Sequence, residues 1–225
     1  ATEMVVFHIG LPKTATTTLQ TDVFPSYPSG FFSTNDDVLA SNGFRWLWNQ
    51  DRDFLGRRLV LSKHSLFASR FRRLMGRKSM RAFLREHQDS MISAEGLVGE
   101  SLNPSWKVDE RAAALRRISA NAKIIIVFRP HLAWAESLYS QIFVDEQRYG
   151  IAHGGLKLQE VFGGSDSLVP LQSIRWVAVA KAFSRTFGPS NCLFMDFDDV
   201  VGNWTWAILR IEQFCKISRG SLPIP

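Results

Sequence analysis

The sequence predicts an α/β fold in three layers, with a central, mainly parallel sheet flanked by helices. Three observations carry this expectation. Apolar runs rich in β-formers recur at Val5 to Phe7, Lys123 to Phe128 and Cys192 to Phe197, amphipathic helical stretches separate them, and polar or charged loops begin where the runs end. With 225 residues, 45% of them hydrophobic, the chain suits one domain over its whole length, with a basic helical insertion between Arg45 and Arg85.

Val5, Val6 and Phe7 enter a tight loop punctuated by Gly10 and Pro12. From Thr14 onward a helix is expected, with Leu19 and Val23 on one face and Pro25 closing it. Pro25 to Asn42 reads as loop with aromatic anchors at Phe31 and Phe32. Arg58 to Ser62 reads as a short strand ending beside Lys63 and His64. Ser79 is the expected N-cap of a helix in which Met80, Phe83, Leu84 and His87 share a face. Ser90 to Val98 starts as a strand and breaks at Gly96, which leaves Glu95 near its carboxyl end.

Asp109 to Ala120 is a helix with Val108, Ala112, Leu115 and Ser119 along one stripe. Lys123 to Phe128, K-I-I-I-V-F, is the strongest strand, and its unbroken apolar run fits a central position covered on both faces. Pro130 suits the first position of the next helix, which runs through Trp134, Leu138 and Phe143. Five glycines between Gly150 and Gly164 point to a mobile surface segment. Leu171 to Phe187 is a helix stopped by Gly188 and Pro189, and Trp204, Ile208, Ile211 and Cys215 mark a final amphipathic helix.

The charge distribution narrows the partners. Twelve Lys/Arg face two acids between Arg45 and Arg85, so that segment carries +10 in a chain of +6. It favours an anionic partner, or it is the solvated face of arginine-rich helices. The two cysteines, Cys192 and Cys215, lack C-x-x-C spacing, and no histidine has a partner at metal-ligand spacing. A reducing compartment and no metal are expected. No apolar run reaches the ~20 residues that span a bilayer, and no basic-then-apolar leader precedes Met4, so a cytoplasmic chain is expected.

A strand, a short loop and a helix N-terminus together make an anion site. The first-turn N–H groups are free of helical partners, the macrodipole adds roughly +0.5 charge, and Lys13 adds a full one. Hydroxyls of Thr14, Thr16, Thr17 and Thr18 offer further donors, so a phosphate is the natural occupant. The stretch is not a Walker A box, because Pro12 stands where the glycine before the lysine is required. The other reading of these residues is a threonine-rich helix start with a solvated lysine. A second anion site follows the core strand, where Arg129 offers a planar fork and Ser137 lies eight residues on. Arg129 could equally pair with an acid at a sheet edge.

Two motifs carry a resemblance. H-I-G-L-P-K-T-A-T-T-T-L-Q resembles the 5′-phosphosulfate-binding loop of the PAPS-dependent sulfotransferases, usually P-K-[ST]-G-T-T. I-I-I-V-F-R-P-H-L-A-W-A-E-S-L-Y-S-Q resembles the same family's 3′-phosphate motif, above all the R-x-x-x-x-W-x-x-S-x-Y-x-Q pattern of bacterial carbohydrate-type members. The coarse resemblance runs from about Val5 to Lys216. It implies a P-loop-like fold, 3′-phosphoadenosine 5′-phosphosulfate (PAPS) as sulfate donor, adenosine 3′,5′-bisphosphate (PAP) as product, and transfer without a metal.

By position, the resemblance implies a loop of Pro12, Lys13, Thr14, Ala15, Thr16, Thr17 and Thr18 around the 5′-phosphosulfate. Lys13 would bridge the phosphate and the leaving oxygen, while Arg129 and Ser137 would hold the 3′-phosphate. Ala15 departs from the usual glycine, which an αR backbone would allow and a required positive φ would not. A carboxylate or imidazole must take the acceptor's proton. Glu95, in S-A-E-G-L, is the first choice and His64 the second, ahead of Glu100 and Asp36. The expected acceptor is a small molecule or glycan, anionic if the basic segment recruits it. The competing classes are a nucleic-acid or polyanion-binding module using that segment, and a P-loop nucleotide kinase.

Overall fold

The computed structural model describes residues 4–10, 13–27, 30–33, 78–87, 89–95, 97, 108–149, 157–162 and 175–217. Among them are five strands: β1 (Val6–Gly10), β2 (Phe31–Ser33), β3 (Met91–Glu95), β4 (Lys123–Phe128) and β5 (Cys192–Asp196). They form one sheet in the order β2-β3-β1-β4-β5, and every pair in it is parallel. Parallel neighbours need crossovers, and helices supply them.

The helices are α1 (Thr16–Thr18), α2 over 78–86, α3 (Val108–Ile118), α4 (His131–Tyr149), α5 (Leu158–Phe162), α6 (Trp176–Phe187), α7 (Phe197–Gly202) and α8 (Trp204–Cys215). Alternation along the strands divides the core into two layers. Phe7, Ile9, Ile124 and Ile126 pack with residues of α2, α3, α4 and α6 on one face, while Val6, Ile125 and Val127 pack with Leu19, Val23, Val200 and Ile208 on the other. The sheet is therefore covered on both faces, giving the three-layer α/β, P-loop-like arrangement. Among the described residues no helix is long and apolar enough to cross a membrane.

Local chemistry moves several boundaries. Thr14 and Ala15 precede the first helix, which starts at Thr16 and continues as a π turn (Leu19–Val23) and a 3₁₀ turn (Phe24–Ser26), still burying Leu19 and Val23. Phe31 is an aromatic anchor, its ring 5.7 Å from that of Phe24, but it opens the edge strand β2 rather than lying in a loop, and pairing with β3 satisfies its backbone. Residue 78 is already helical, so Ser79 does not cap α2, and His87 is exposed beyond its end. Ile118 rather than Ser119 completes the buried stripe of α3, one i, i+3 step on from Leu115, and Ser119 lies just past the helix end.

Pro130 immediately precedes α4, which starts at His131, one position later than expected, and the Pro130 carbonyl accepts from the Trp134 N–H. Within the glycine-rich stretch, α5 buries Val161 and Phe162, so part of it is anchored in the core. Arg175 is extended and Trp176 starts α6, later than Leu171, while Gly188 ends that helix at φ 88°, a conformation that suits glycine alone. Phe197 belongs to α7 rather than β5. The strand expected at Arg58 to Ser62 lies outside the described residues. Burial pushes the Cys192 thiol up to about 11 and the Cys215 thiol up to about 12, so neither is a nucleophile near neutral pH.

A buried polar chain ties the first helix to the sheet. The Gln20 Nε2–H donates to Ser93 Oγ at 2.9 Å and to the Ser93 carbonyl at 3.2 Å, and Ser93 Oγ lies 2.6 Å from His8 Nδ1. His8 and Ser93 face each other in the β1–β3 register, and both are fully buried. The His8 ring meets Phe24 edge-on at 5.0 Å, and its Nε2 has no hydrogen-bond partner. Burial pushes the His8 imidazole down to about 3.

This shift has a signature in stability. The unfolded chain, with an ordinary histidine near 6.5, binds one more proton than the fold between about pH 6.5 and pH 3, so stability falls as pH drops through that window. The slope is about 1.4 kcal/mol per pH unit. In urea unfolding from pH 6 to pH 4, His8→Asn should lose that component and give a shallower dependence than wild type. Equal slopes would show that His8 is not held neutral.

Candidate functional site

The central strand β1 has β3 on one side and β4 on the other. From β1 the chain passes to β2 and β3 on one side, whereas β4 is followed by β5 on the other side. The boundary between β1 and β4 is thus the topological switch point, where a crevice opens beyond the carboxyl ends of the strands. Lys13 follows β1 there, and Arg129 follows β4.

The loop after β1 is strained. Lys13 has φ 63° and Ala15 has φ 58° with ψ 15°, both in the left-handed region, while Thr14 between them is not. Alternation of this kind turns successive N–H groups toward one point and forms an anion-binding nest. The Ala15 carbonyl then accepts from the Leu19 N–H at 3.1 Å, which carries the loop into the helix. Ala15 therefore takes the conformation that a glycine would take without strain, and its Cβ costs roughly 1–2 kcal/mol. Of the two backbone alternatives at Ala15, the fold adopts the unfavourable one.

The threonines divide by burial. Thr14 and Thr16 are buried with their hydroxyl oxygens 3.4 Å apart, Thr18 is half-buried, and Thr17 is exposed. Thr14 and Thr16 therefore brace the loop from within, while Thr17 faces outward.

Arg129 reaches across the switch point. Its Nη1–H donates to the Lys13 carbonyl at 3.1 Å, and its guanidinium lies 4.5 Å from the centre of the Phe197 ring. Its Nε–H is buried without an acceptor. The Arg129 carbonyl accepts from Trp176 Nε1–H at 2.7 Å, and His131 stacks on Trp176 with centroids 4.9 Å apart and planes 15° apart. Among the described residues Arg129 has no acidic partner, and it touches the Lys13 loop rather than standing apart from it.

Ser137 is half-buried on α4, downstream of Arg129. Glu95 closes β3 in register with Gly10, the last residue of β1, which puts its backbone beside the start of the Lys13 loop. Pro12, His64, Glu100 and Asp36 lie outside the described residues, as does the basic segment up to Arg77. The described part of that segment, Lys78, Arg81 and Arg85, is exposed on α2.

Sequence reasoning missed four contributors. His8, Ser93 and Gln20 read as isolated polar residues in apolar or helical runs, and nothing local pairs positions 85 and 73 residues apart. A histidine between Phe7 and Ile9 was the one available signal, since a polar side chain inside a buried strand requires a partner. Phe197 was assigned to a strand, which hid its ring from the Arg129 site.

No protein-family model matches the chain, and a comparison with curated proteins finds no match. Solved structures do match. A sulfotransferase from Alicyclobacillus acidocaldarius aligns at 14% identity with a TM-score of 0.59, covering 98% of this chain and 83% of that one. The sulfotransferase domain of the curacin biosynthetic pathway aligns at 14% identity and TM-score 0.53, over 96% of this chain and 75% of that one. The sulfotransferase domain of the Synechococcus PCC 7002 olefin synthase gives 14% identity and TM-score 0.54, over 96% and 74%. The chain therefore has a sulfotransferase-like fold.

The loop strain makes a direct prediction. Ala15→Gly should raise the free energy of unfolding by about 1 kcal/mol, read as a higher urea midpoint at unchanged m-value. A midpoint at or below that of wild type would mean that Ala15 is not held at positive φ.

Proposed function

We propose that the chain is a sulfotransferase that moves a sulfuryl group from PAPS to a hydroxyl or amine of a glycan, glycolipid or related small acceptor. The observation that carries this reading is the bond from Arg129 to the Lys13 carbonyl. Two segments 116 residues apart, each with the chemistry of a phosphate site, meet at the switch point of a parallel sheet. The likeness of fold to three sulfotransferases supports it.

In this reading the Thr14 to Thr17 backbone and the hydroxyls of Thr16, Thr17 and Thr18 hold the 5′-phosphate. Arg129 and Ser137 take the 3′-phosphate, and the buried Arg129 Nε–H is a donor that an anion would satisfy. The acceptor oxygen attacks sulfur in line, and the bond from sulfur to the 5′-phosphate oxygen breaks. Lys13 neutralises the charge that grows on the departing phosphate, an interaction stronger in the transition state than in the ground state. The acceptor's proton passes to Glu95, with His64 as the alternative base, and PAP leaves. Metal ions have no part in this scheme. The basic segment from Arg45 to Arg85 would attract an anionic acceptor.

Calorimetric titration with PAP tests the donor site. Wild type should bind, and Lys13→Ala and Arg129→Ala should each weaken binding by roughly tenfold or more, the loss of a charge-assisted contact. No heat of binding to wild type, or unaltered affinity in both variants, would defeat the proposal. Magnesium-dependent ATP turnover would replace it with a kinase.

The base is tested separately. Glu95→Gln should lower kcat by roughly 10²- to 10⁴-fold and leave PAP affinity unchanged. A loss of that size in His64→Ala instead would move the assignment to His64.

A further inference from the structure

We infer that Arg129 is a positioning residue for the Lys13 loop as well as an anion ligand, so that one guanidinium couples the two ends of the nucleotide site. The ligand half of this statement rests on the donor reading above. The positioning half rests on the fold alone.

Lys13 sits at φ 63°, and a non-glycine residue stays in the left-handed region only where its surroundings over-determine it. One of the contacts that fix it is the Arg129 Nη1–H on its carbonyl. Arg129 is well placed for that work because it is itself held from several directions. Its carbonyl is fixed by the Trp176 indole at the start of α6, and its guanidinium lies against the Phe197 ring at the start of α7. The two strands that carry the partners are paired as far as Ile9 and Ile126, so the side chain spans only the gap beyond their ends.

A guanidinium has five N–H donors in a rigid plane, and the Lys13 carbonyl uses one. An anion held by the others fixes the plane, and the plane fixes the Lys13 carbonyl. The converse also holds, since coupling between two sites is reciprocal. Arg129 therefore matters to the 5′ end of a nucleotide even when no 3′-phosphate is present. A residue that only reads the 3′-phosphate would not.

Two probes separate these roles: PAP, and adenosine 5′-phosphate, which lacks the 3′ group. Arg129→Ala should lose about tenfold in affinity for adenosine 5′-phosphate and more than that for PAP, whose 3′-phosphate contact is lost as well. In the ligand-free protein, amide exchange of residues 13–19 should quicken several-fold in this variant while exchange in α6 stays unchanged, which excludes global loosening. Should Arg129→Ala fail to fold, Arg129→Lys, with a cation but no planar fork, is read the same way.

Unchanged exchange in the loop overturns the inference. So does unchanged affinity for adenosine 5′-phosphate, and a loss confined to PAP would then leave the donor reading intact. If wild type binds neither nucleotide, the donor reading fails, and the exchange measurement still decides whether Arg129 positions Lys13.

Discussion

The pairing of β1 with β4 is the contact on which the rest of the structure depends. It runs from Val6 opposite Lys123 to Ile9 opposite Ile126, and each residue of the β4 core, Ile124 to Val127, is buried. Because the strands are parallel, their carboxyl ends finish together, and the loops that follow them are forced into one region. The chain then leaves β1 and β4 toward opposite edges of the sheet. A crevice results from topology before any side chain is considered. Lys13 and Arg129 occupy it because each comes just after its strand.

Strain and polar burial cluster around the same point. Lys13 and Ala15 both hold left-handed backbone, and two segments brace them. From the β4 side Arg129 grips the Lys13 carbonyl, and from the β3 side Ser93 takes Gln20 of the first helix. An all-apolar set at His8, Ser93 and Gln20 would cost less to bury, because the His8 Nε2 is left without a hydrogen bond. What the polar set adds is direction: a hydrogen bond fixes the helix rotation and register, which packing of apolar side chains alone leaves looser. The first turn of that helix carries the N–H groups on which an anion site depends.

Much of this was legible in the sequence, for reasons that differ by element. K-I-I-I-V-F announces a strand covered on both faces because no polar residue interrupts it, and β4 is such a strand, flanked by β1 and β5. Glu95 stands at a strand end because Gly96 follows it. The stripes of α3 and α8 follow from period 3.6, with only the terminal residue of α3 displaced. Short or weakly patterned pieces were not legible. β2 has three residues and exists because β3 offers an edge, and α5 is a single turn held by Val161 and Phe162. Nothing within either segment announces its neighbour.

By itself the sequence determined the parallel α/β class, the Lys13 and Arg129 motifs and their place at strand ends, because these depend on local periodicity and on residue types at fixed spacing. Tertiary structure decided the remainder. That Ala15 takes a positive φ, that Arg129 bonds the Lys13 carbonyl and lies on Phe197, and that His8 is neutral against Ser93 all depend on which distant segments meet. The physical reason is range: backbone propensity acts over a few residues, whereas these contacts join positions from 68 to 116 apart once the sheet order is set.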